Sequence, residues 1–453
     1  MAADTKKIPI VSANPSTIGQ FDIISNKTQK SVSLLNGIVE MNYHENILDS
    51  TVRISVEYAD TGSVTASTDG KSVLEGLPLV GSEKVSIKFQ DNNEVTIGDD
   101  PIMDLYVNTV TPLYKDTTRS LVNLSLVSKD YLLNEKIRVI TRFDGKISDH
   151  IEKILQTEKE YLNTENKIDI EKTSNNFTFI GNNKKPFYTM VWLGKKSVPG
   201  GSQGKSNTTA GYFFWETSEG FKFKSIDSLL GQKEKKKIIF NENVDNKGES
   251  IPATYEVKAV DYSQDSLINV QRKLQMGTFS TRIILFNPFN CLYQVKATNA
   301  TADEKEDGLT LAGEELPVMN KEFNRTEEGK DFSRTTYYIT DTGTLPDGNT
   351  KQQIEKSRKE NFEYIDIENQ ALRRFNQLFS EETTITIPGD FSIHAGDAIW
   401  IDSPQLKKEK KTDEVDEQMG GLYVVSTLCH HMTSEGTWTK MSLMRDSVGR
   451  KVE

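Results

Sequence analysis

The chain has 453 residues, 36% hydrophobic and 27% charged, with a net charge of −11 and a mean hydropathy of −0.53. That length implies about two to four domains, and the acidic balance excludes a general nucleic-acid binder, which carries excess lysine and arginine to replace counterions. Two distant cysteines, Cys291 and Cys429, give neither a disulfide framework nor a zinc spacing and fit a reducing interior. The first twenty residues, MAADTKKIPIVSANPSTIGQ, lack the apolar core of a secretory signal, and no run approaches the ~20 apolar residues that span a bilayer. The expectation is a soluble chain made in the cytoplasm, with no membrane contact.

The first quarter reads as sheet. Val52, Ile54 and Val56 alternate with Arg53, Ser55 and Glu57; Val85, Ile87 and Phe89 repeat the pattern, and Leu124 and Leu126 carry it on. A period of two marks half-buried strands, and DTGS and DNNE supply turn chemistry between them. Residues from about 20 to 130 are expected to form one β unit. The period then changes. In GKISDHIEKILQTEKEYL, Ile147, Ile151, Ile154 and Leu155 share one helical face, with Ser148 in place as an N-cap. KPFYTMVWLGKK reads as a short buried strand or helix.

The loop SVPGGSQGKSNTTAG imitates a phosphate-binding loop. The pattern GxxxxGK[ST] needs glycine at position 199, where this chain has Pro199, and Gly204, Lys205 and Ser206 lead into strand-like residues rather than a helix whose N-terminus would face the anion. The segment that follows, GYFFWETSEGFKFKSIDSLLG (211–231), reads as a β-hairpin. Tyr212, Phe214 and Glu216 point to one side and Phe213, Trp215 and Thr217 to the other. Gly220 supplies the positive φ of the turn, and Phe221 and Phe223 return opposite Lys222 and Lys224. SIDSLLG then closes it as a short helix or turn. A platform for stacking bases wants exposed rings interleaved with positive charge. In an acidic chain these rings read instead as core, each stabilising the fold by ~1.5–3 kcal/mol when buried.

Further on, Leu267, Val270 and Leu274 define a helix starting after Asp265 and stopped by Gly277. TRIILFNPFNCLYQV is strand-like around Pro288, and residues 296–350 are polar and read as an extended arm. A capped helix from Asp366 with Leu372, Phe375 and Phe379 on one face leads into strands carrying Ile385, Ile387 and Ile393, then Ile399 and Ile401. PGDF and HAGDA make turns of a small barrel, with glycine relieving strain at its corners.

The hairpin closely resembles a segment of the baseplate hub proteins of contractile-tailed (myovirus-type) bacteriophages, in which an aromatic hairpin of the form YFFxETxxGFxFxSIDSL recurs. VSLLNGIVEMNYHENILDSTVRISVEYADTG followed by LPLVGSEKVSIKF is similar to that family's first tube-type barrel. TTITIPGDFSIHAGDAIWIDSP and GLYVVSTLCHHMTSEGTWTKMSLMRDSVG are similar to its second. These stretches keep the family's order over residues 20–448; the insert 296–350 and the charged loop 406–418 match nothing in it. The resemblance implies a mixed α+β, mainly β fold: an N-terminal arm (1–19), a first tube-type β-barrel (20–135), a middle α+β domain (136–350) and a second tube-type β-barrel (351–453). It further implies a homotrimeric hub whose six barrels adapt a three-fold spike to a six-fold tail tube around a channel for the genome. The implied partners are further copies of itself, a spike protein often fused to lysozyme, the tail tube or tube initiator, and baseplate wedge proteins. DNA would pass without specific binding, and type VI secretion spikes share the N-terminal architecture.

No catalytic, cofactor or metal residues are carried over from that family, which has none to transfer. Cys429, His430 and His431, with His394 in the same region, invite a metal, but adjacent strand residues face opposite sides and zinc needs a third and fourth fixed ligand. The acidic runs DEVDEQ and ADEKEDG have no apolar wall to raise a carboxyl pKa and read as solvated loop. The rival function class is a tail-associated enzyme or carbohydrate-binding module, such as a glycosidase, which needs two carboxylates a few ångströms apart in a cleft. If the chain's acidity lines the channel, like charge would keep DNA from sticking to it.

Overall fold

The computed structural model describes residues 12–60, 77, 79–97, 102–157, 159–200, 209–240, 254–266, 269–288, 291–299, 309–323, 332–340, 343, 349–357, 361–379, 381–403, 415–416 and 418–451. The Gly204-Lys205-Ser206 segment, Leu267, the run 302–308 and most of the 406–418 loop lie outside them. Among the described residues the fold is mainly β, with one large mixed sheet.

Seven strands open the chain: β1 (Thr17–Ile24), β2 (Ser31–Ser33), β3 (Ile38–Asn46), β4 (Arg53–Asp60), β5 (Lys84–Gln90), β6 (Met103–Lys115) and β7 (Ser120–Val127). They pair in the order β3-β4-β7-β6-β5-β1-β2. The alternation read from sequence is met: Ile54, Val56, Val85, Ile87, Phe89, Leu124 and Leu126 are all buried.

The middle of the chain holds helices α1 (Lys129–Lys136), α2 (Ile147–Gln156), α3 (Pro186–Gly194) and α4 (Ile226–Leu230). Its strands are β8 (Arg142–Phe143), β9 (Ile168–Ile170), β10 (Phe179–Ile180), β11 (Tyr212–Thr217) and β12 (Gly220–Ser225). In α2 the four expected residues Ile147, Ile151, Ile154 and Leu155 are fully buried. Ser148 is not its cap. The helix starts two residues earlier with Lys146 at the N-cap, and Ser148 N–H donates to Thr173 Oγ1 at 3.0 Å, so a neighbouring hydroxyl satisfies one donor of the first turn. KPFYTMVWLGKK is helix, with Pro186 at its first turn, where a missing N–H costs nothing.

The remaining strands are β13 (Lys236–Ile239), β14 (Val257–Lys258), β15 (Asp261–Ser266), β16 (Ser280–Asn287), β17 (Leu292–Asn299), β18 (Arg334–Ile339), β19 (Glu381–Pro388), β20 (Ala398–Asp402), β21 (Gly421–Thr433) and β22 (Thr437–Arg445). Helices α5 (Val270–Met276), α6 (Thr350–Ser357) and α7 (Tyr364–Leu378) lie among them. The stop at Gly277 is as expected, in the left-handed region at φ 81°. The start of α7 is not: the helix begins before Asp366, and Glu363 at its N-cap makes no side-chain cap bond. The stretch 296–350 is not wholly an arm, because Arg334–Ile339 runs parallel to β16 in a three-stranded sheet, β17-β16-β18.

Strands β13, β14 and β15 fall in the stretch read as the middle unit, yet they pair with the last strands. β13 lies parallel to β20 and β14, and β15 lies antiparallel to β19. Between β14 and β15, Ala259 N–H donates to Ile239 at 2.9 Å and Val260 N–H to Thr386 at 2.7 Å. The hydrogen bonds therefore run full circle through β13, β20, β21, β22, β19 and β14–β15. KKII and VK are too short to show a period of two, so their sheet is not legible from pattern.

β21 is also laddered to β3, from Thr427 opposite Asn46 to Thr433 opposite Glu40. This joins both ends of the chain in one sheet over one core that runs from Phe21 to Leu443. Rings from both groups meet inside it: Phe89 and Phe391 are edge-on at 5.5 Å, and Phe391 packs on His430 at 4.7 Å. Asp91 fastens the contact. Its Oδ1 accepts from Asn93 N and Val95 N, closing its own turn, and its Oδ2 accepts from Phe391 N at 3.0 Å. Asp91→Ala, which leaves the buried Phe391 N–H unpaired, is expected to lower stability by about 1–3 kcal/mol, read as a shift of the urea unfolding midpoint against the wild type.

Candidate functional site: a sheet seam wedged by an aromatic hairpin

The aromatic hairpin is core, and both of its faces are buried. Tyr212, Phe214, Phe221 and Phe223 join the core of the middle unit. Phe213 and Trp215 point the other way, into a cluster with Ile47, Leu378, Ala395, Val424 and Met444. Strand alternation thus lets one short strand serve two cores. Gly220 has the expected positive φ, 120°, and Ser225 caps α4 by accepting from Ser228 N at 3.0 Å.

The hairpin's polar groups tie it to both strand groups at the β3–β21 seam. Trp215 Nε1 donates to the Ala395 carbonyl at 2.9 Å, next to Gly396, whose φ is +93° and whose added Cβ would lie 2.5 Å from Trp215 Cζ2. At the turn, Ser218 N donates to Glu45 Oε1 at 2.9 Å. Glu45, on β3, also accepts from Tyr43 Oη at 2.7 Å and from Ala395 N at 2.8 Å, and it faces His394 Nδ1 at 3.3 Å. Burial pushes the Glu45 carboxyl up, but His394 and these donors outweigh it and hold the group at about 2. Burial pushes His394 down, and Glu45 more than reverses that, leaving it raised. The pair is a buried ion pair whose remaining acceptor sites are filled, the condition under which such a pair is tolerated.

Glu216, on the same hairpin, goes the other way. Its Oε2 accepts from Val52 N at 3.2 Å and its Oε1 from Asn166 Nδ2 at 3.0 Å. With no cation beside it, burial raises it to about 8. Asn166 Nδ2 also reaches Asp130 Oδ2 at 3.3 Å, and Thr164 Oγ1 donates to that oxygen at 2.6 Å; burial raises Asp130 as well. These groups sit beside a cleft of ≈ 430 Å³. On the far side of the hairpin, Arg374 grips Asp227 with two bonds, at 2.9 and 2.7 Å, tying α7 to α4. Lys196 pairs with Glu368, its ammonium 5.0–5.4 Å from the rings of Phe177, Trp192 and Phe362.

The histidines separate as strand geometry requires. His430 is fully buried, hydrogen-bonded to Thr439 Oγ1 at 2.9 Å and pushed by burial down to about 3. His431 is half-exposed on the opposite face and bonds Asn42 Oδ1 at 2.7 Å. Cys429 shares that outer face, 4.0 Å from His44, with its thiol raised to about 11 by burial. His394 is with Glu45, not with these residues. Among the described residues no group of three or more His, Cys, Asp and Glu is placed to hold a metal ion. Sequence reasoning missed Glu45, Glu216, Asp227 and Arg374, because a charged residue inside a strand or helix gives no sign that its side is buried.

The fold is similar to that of two solved tail proteins. The fold matches the 43 kDa tail protein of prophage MuSo2 from Shewanella oneidensis with a TM-score of 0.50 at 9% identity, covering 94% of this chain and 98% of that one. It matches the tail protein from Neisseria meningitidis MC58 with a TM-score of 0.50 at 8% identity, over 96% and 98%. No family model and no curated protein matches the sequence.

Two substitutions test the wedge. Gly396→Ala forces a side chain into positive φ and against Trp215, and is expected to cost about 2–4 kcal/mol in a thermal or urea melt. Glu216 takes up a proton on folding, since its pKa rises from 4.5 to about 8. Its favourable contribution is complete below pH 4.5 and is lost as pH rises through 8. Glu216→Gln keeps a neutral group of the same shape, so it should match the wild type near pH 5. It should exceed it at pH 8.5 by up to about 3–5 kcal/mol in urea melts; parallel stability curves would contradict this.

Proposed function

We propose that this protein is the trimeric central hub of a phage tail baseplate, adapting a three-fold spike to a six-fold tail tube around the channel for genome ejection. One observation carries the reading. The antiparallel run β6-β7-β4-β3-β21-β22-β19-β15 is unbroken through the seam, with four strands from the start of the chain, three from its end and β15 from between them. In this reading each half of the run belongs to one tube-type barrel, the first within 20–135 and the second within 351–453, completed by β13–β15 from the middle domain 136–350.

The two ends of the run suit ring closure. β5 covers β6 only from Met103 to Tyr106, so among the described residues β6 is laddered beyond Asn108 by β7 alone, and at the other end β15 is laddered by β19. Two different edges are what a head-to-tail ring needs. Three copies of eight strands at about 4.8 Å spacing give a ring about 37 Å across between backbones, wide enough to pass a duplex once side chains are subtracted. One face of the run is the common core. The other is polar, with Asn42, Ser55, Asn123, Ser125, Thr427 and Ser442 among its members and Glu40, Glu57, Asp261 and Glu382 against Arg53 and Lys440. The charged members therefore leave this face with an acidic excess. Neutral hydroxyls and amides with a slight acidic excess give a polyanion little to bind, which suits passage without adhesion.

The rival reading, a tail-associated glycosidase, would use Asp130 and Glu216 beside their cleft. Both carboxyls are instead spent as acceptors for Val52 N, Asn166 and Thr164, bonds that tie the first sheet, the middle unit and the hairpin together. That favours a structural role. The spike, tube and wedge partners follow from the hub reading. The test is native mass spectrometry and sedimentation of the full chain, alone and with the spike protein. A species of three times 51.1 kDa is expected, with obligate interfaces burying ~2,000 Å² or more; a monomer that ignores the spike sinks the proposal.

A further inference from the structure

The sheet β17-β16-β18 has one face packed on α7, and among the described residues the other is bare. Ile283 and Leu285 are buried toward the helix, and Thr281 Oγ1 donates to Asn369 Oδ1 at 2.6 Å. On the opposite face the register sets two rows of three apolar side chains. Phe286 lies between Tyr293 and Ile339, and Ile284 between Val295 and Tyr337. Their exposures are 42% for Phe286, 69% for Tyr293, 43% for Val295, 73% for Tyr337 and 69% for Ile339. Single exposed apolar residues need no explanation, but a contiguous apolar area of roughly 600 Å² does. The same face carries Arg282, Ala297 and Thr335 and no acidic residue, in a chain with 66 Asp and Glu.

We infer that this face is a docking surface for a second copy of this chain, covered head-to-tail in the assembled ring. The inference rests on the ring proposed above and assigns part of its interface. Two observations favour a copy of the same chain as occupant. First, the sheet follows the end strand of the eight-strand run closely in the chain: β15 stops at Ser266, α5 starts at Val270, and β16 follows at Ser280. Second, the size fits. Covering roughly 600 Å² on one partner and a similar area on the other buries about 1,200 Å², the lower bound of a specific, stable interface. A face free of carboxylates also lets two acidic chains meet without bringing like charges together.

Full-length Tyr337→Glu/Ile339→Glu is compared with the wild type by sedimentation velocity over a concentration series, and maleimide labelling of the exposed Cys291, which precedes β17, reports coverage of the adjoining edge. Both substituted side chains are largely solvated, so circular dichroism and melting temperature should be unchanged. Tyr293→Lys, a single change of opposite charge on the same row, guards against a misfolded double variant. The expected result is association weakened at least ten-fold in both variants, with Cys291 labelled at least several-fold faster than in the assembled wild type. Trimers that form equally well in both variants, with equal protection of Cys291, overturn this assignment and leave the hub reading standing. A wild type that stays monomeric with and without the spike overturns both.

Discussion

The fold depends on a single antiparallel ladder, the one in which β3 from the start of the chain pairs with β21 from its end. Closing so long a loop is entropically unfavourable, but the cost grows only logarithmically with length, so the ladder need not be long if what it encloses is large. What it encloses is one apolar core shared by both strand groups. Without that pairing the chain would hold two separate sheets joined by a middle unit. With it, the chain holds an eight-strand run in which a one-residue slip between the two halves would turn the core residues of the shifted strand outward.

The aromatic hairpin makes that ladder stiff. It is driven between the strand groups with both faces buried, and its polar ends are matched to different partners. Glu45 is held ionised because His394 and three donors surround it, whereas Glu216 has donors but no cation and is held neutral. Two carboxyls at the wedge, one on β3 and one on the hairpin, thus keep different charge states near neutral pH for a local reason. Each marks a junction: Glu45 joins β3 to the hairpin turn and the β19–β20 connection, and Glu216 joins β11 to the start of β4 and the loop before β9. Buried polar bonds at junctions favour one relative placement of elements over others more than they add stability.

Much of this was legible in the sequence, and the reason is periodicity. The strands around Val52–Val56, Val85–Phe89 and Leu124–Leu126 alternate cleanly because one side meets the core and the other solvent, and α2 shows its face because it is amphipathic. The hairpin was legible for a different reason, since Gly220 between two aromatic runs admits little else. The short strands β13 and β14 were hidden, as four residues and two residues cannot display a period, and β20, the partner of β13, is buried throughout. The starts of α2 and α7 were misjudged by a residue or two because their caps use no side chain of their own. The charged members of the wedge were invisible because burial of a carboxylate is decided by a partner far along the chain.

The same reasoning accounts for a fold kept at 9% identity to the Shewanella oneidensis tail protein. The seam demands alternation, a glycine where Gly396 meets Trp215, and donors where Glu45 and Glu216 need them. Apolar side chains of similar volume exchange freely under such constraints, so sequence can drift while the order of strands cannot. The surfaces that meet other chains are under a further constraint, since they must match a partner as well as fold. The bare β17-β16-β18 face is one place where this chain departs from what folding alone would select, because solvating six apolar side chains adds nothing to the stability of the lone protomer.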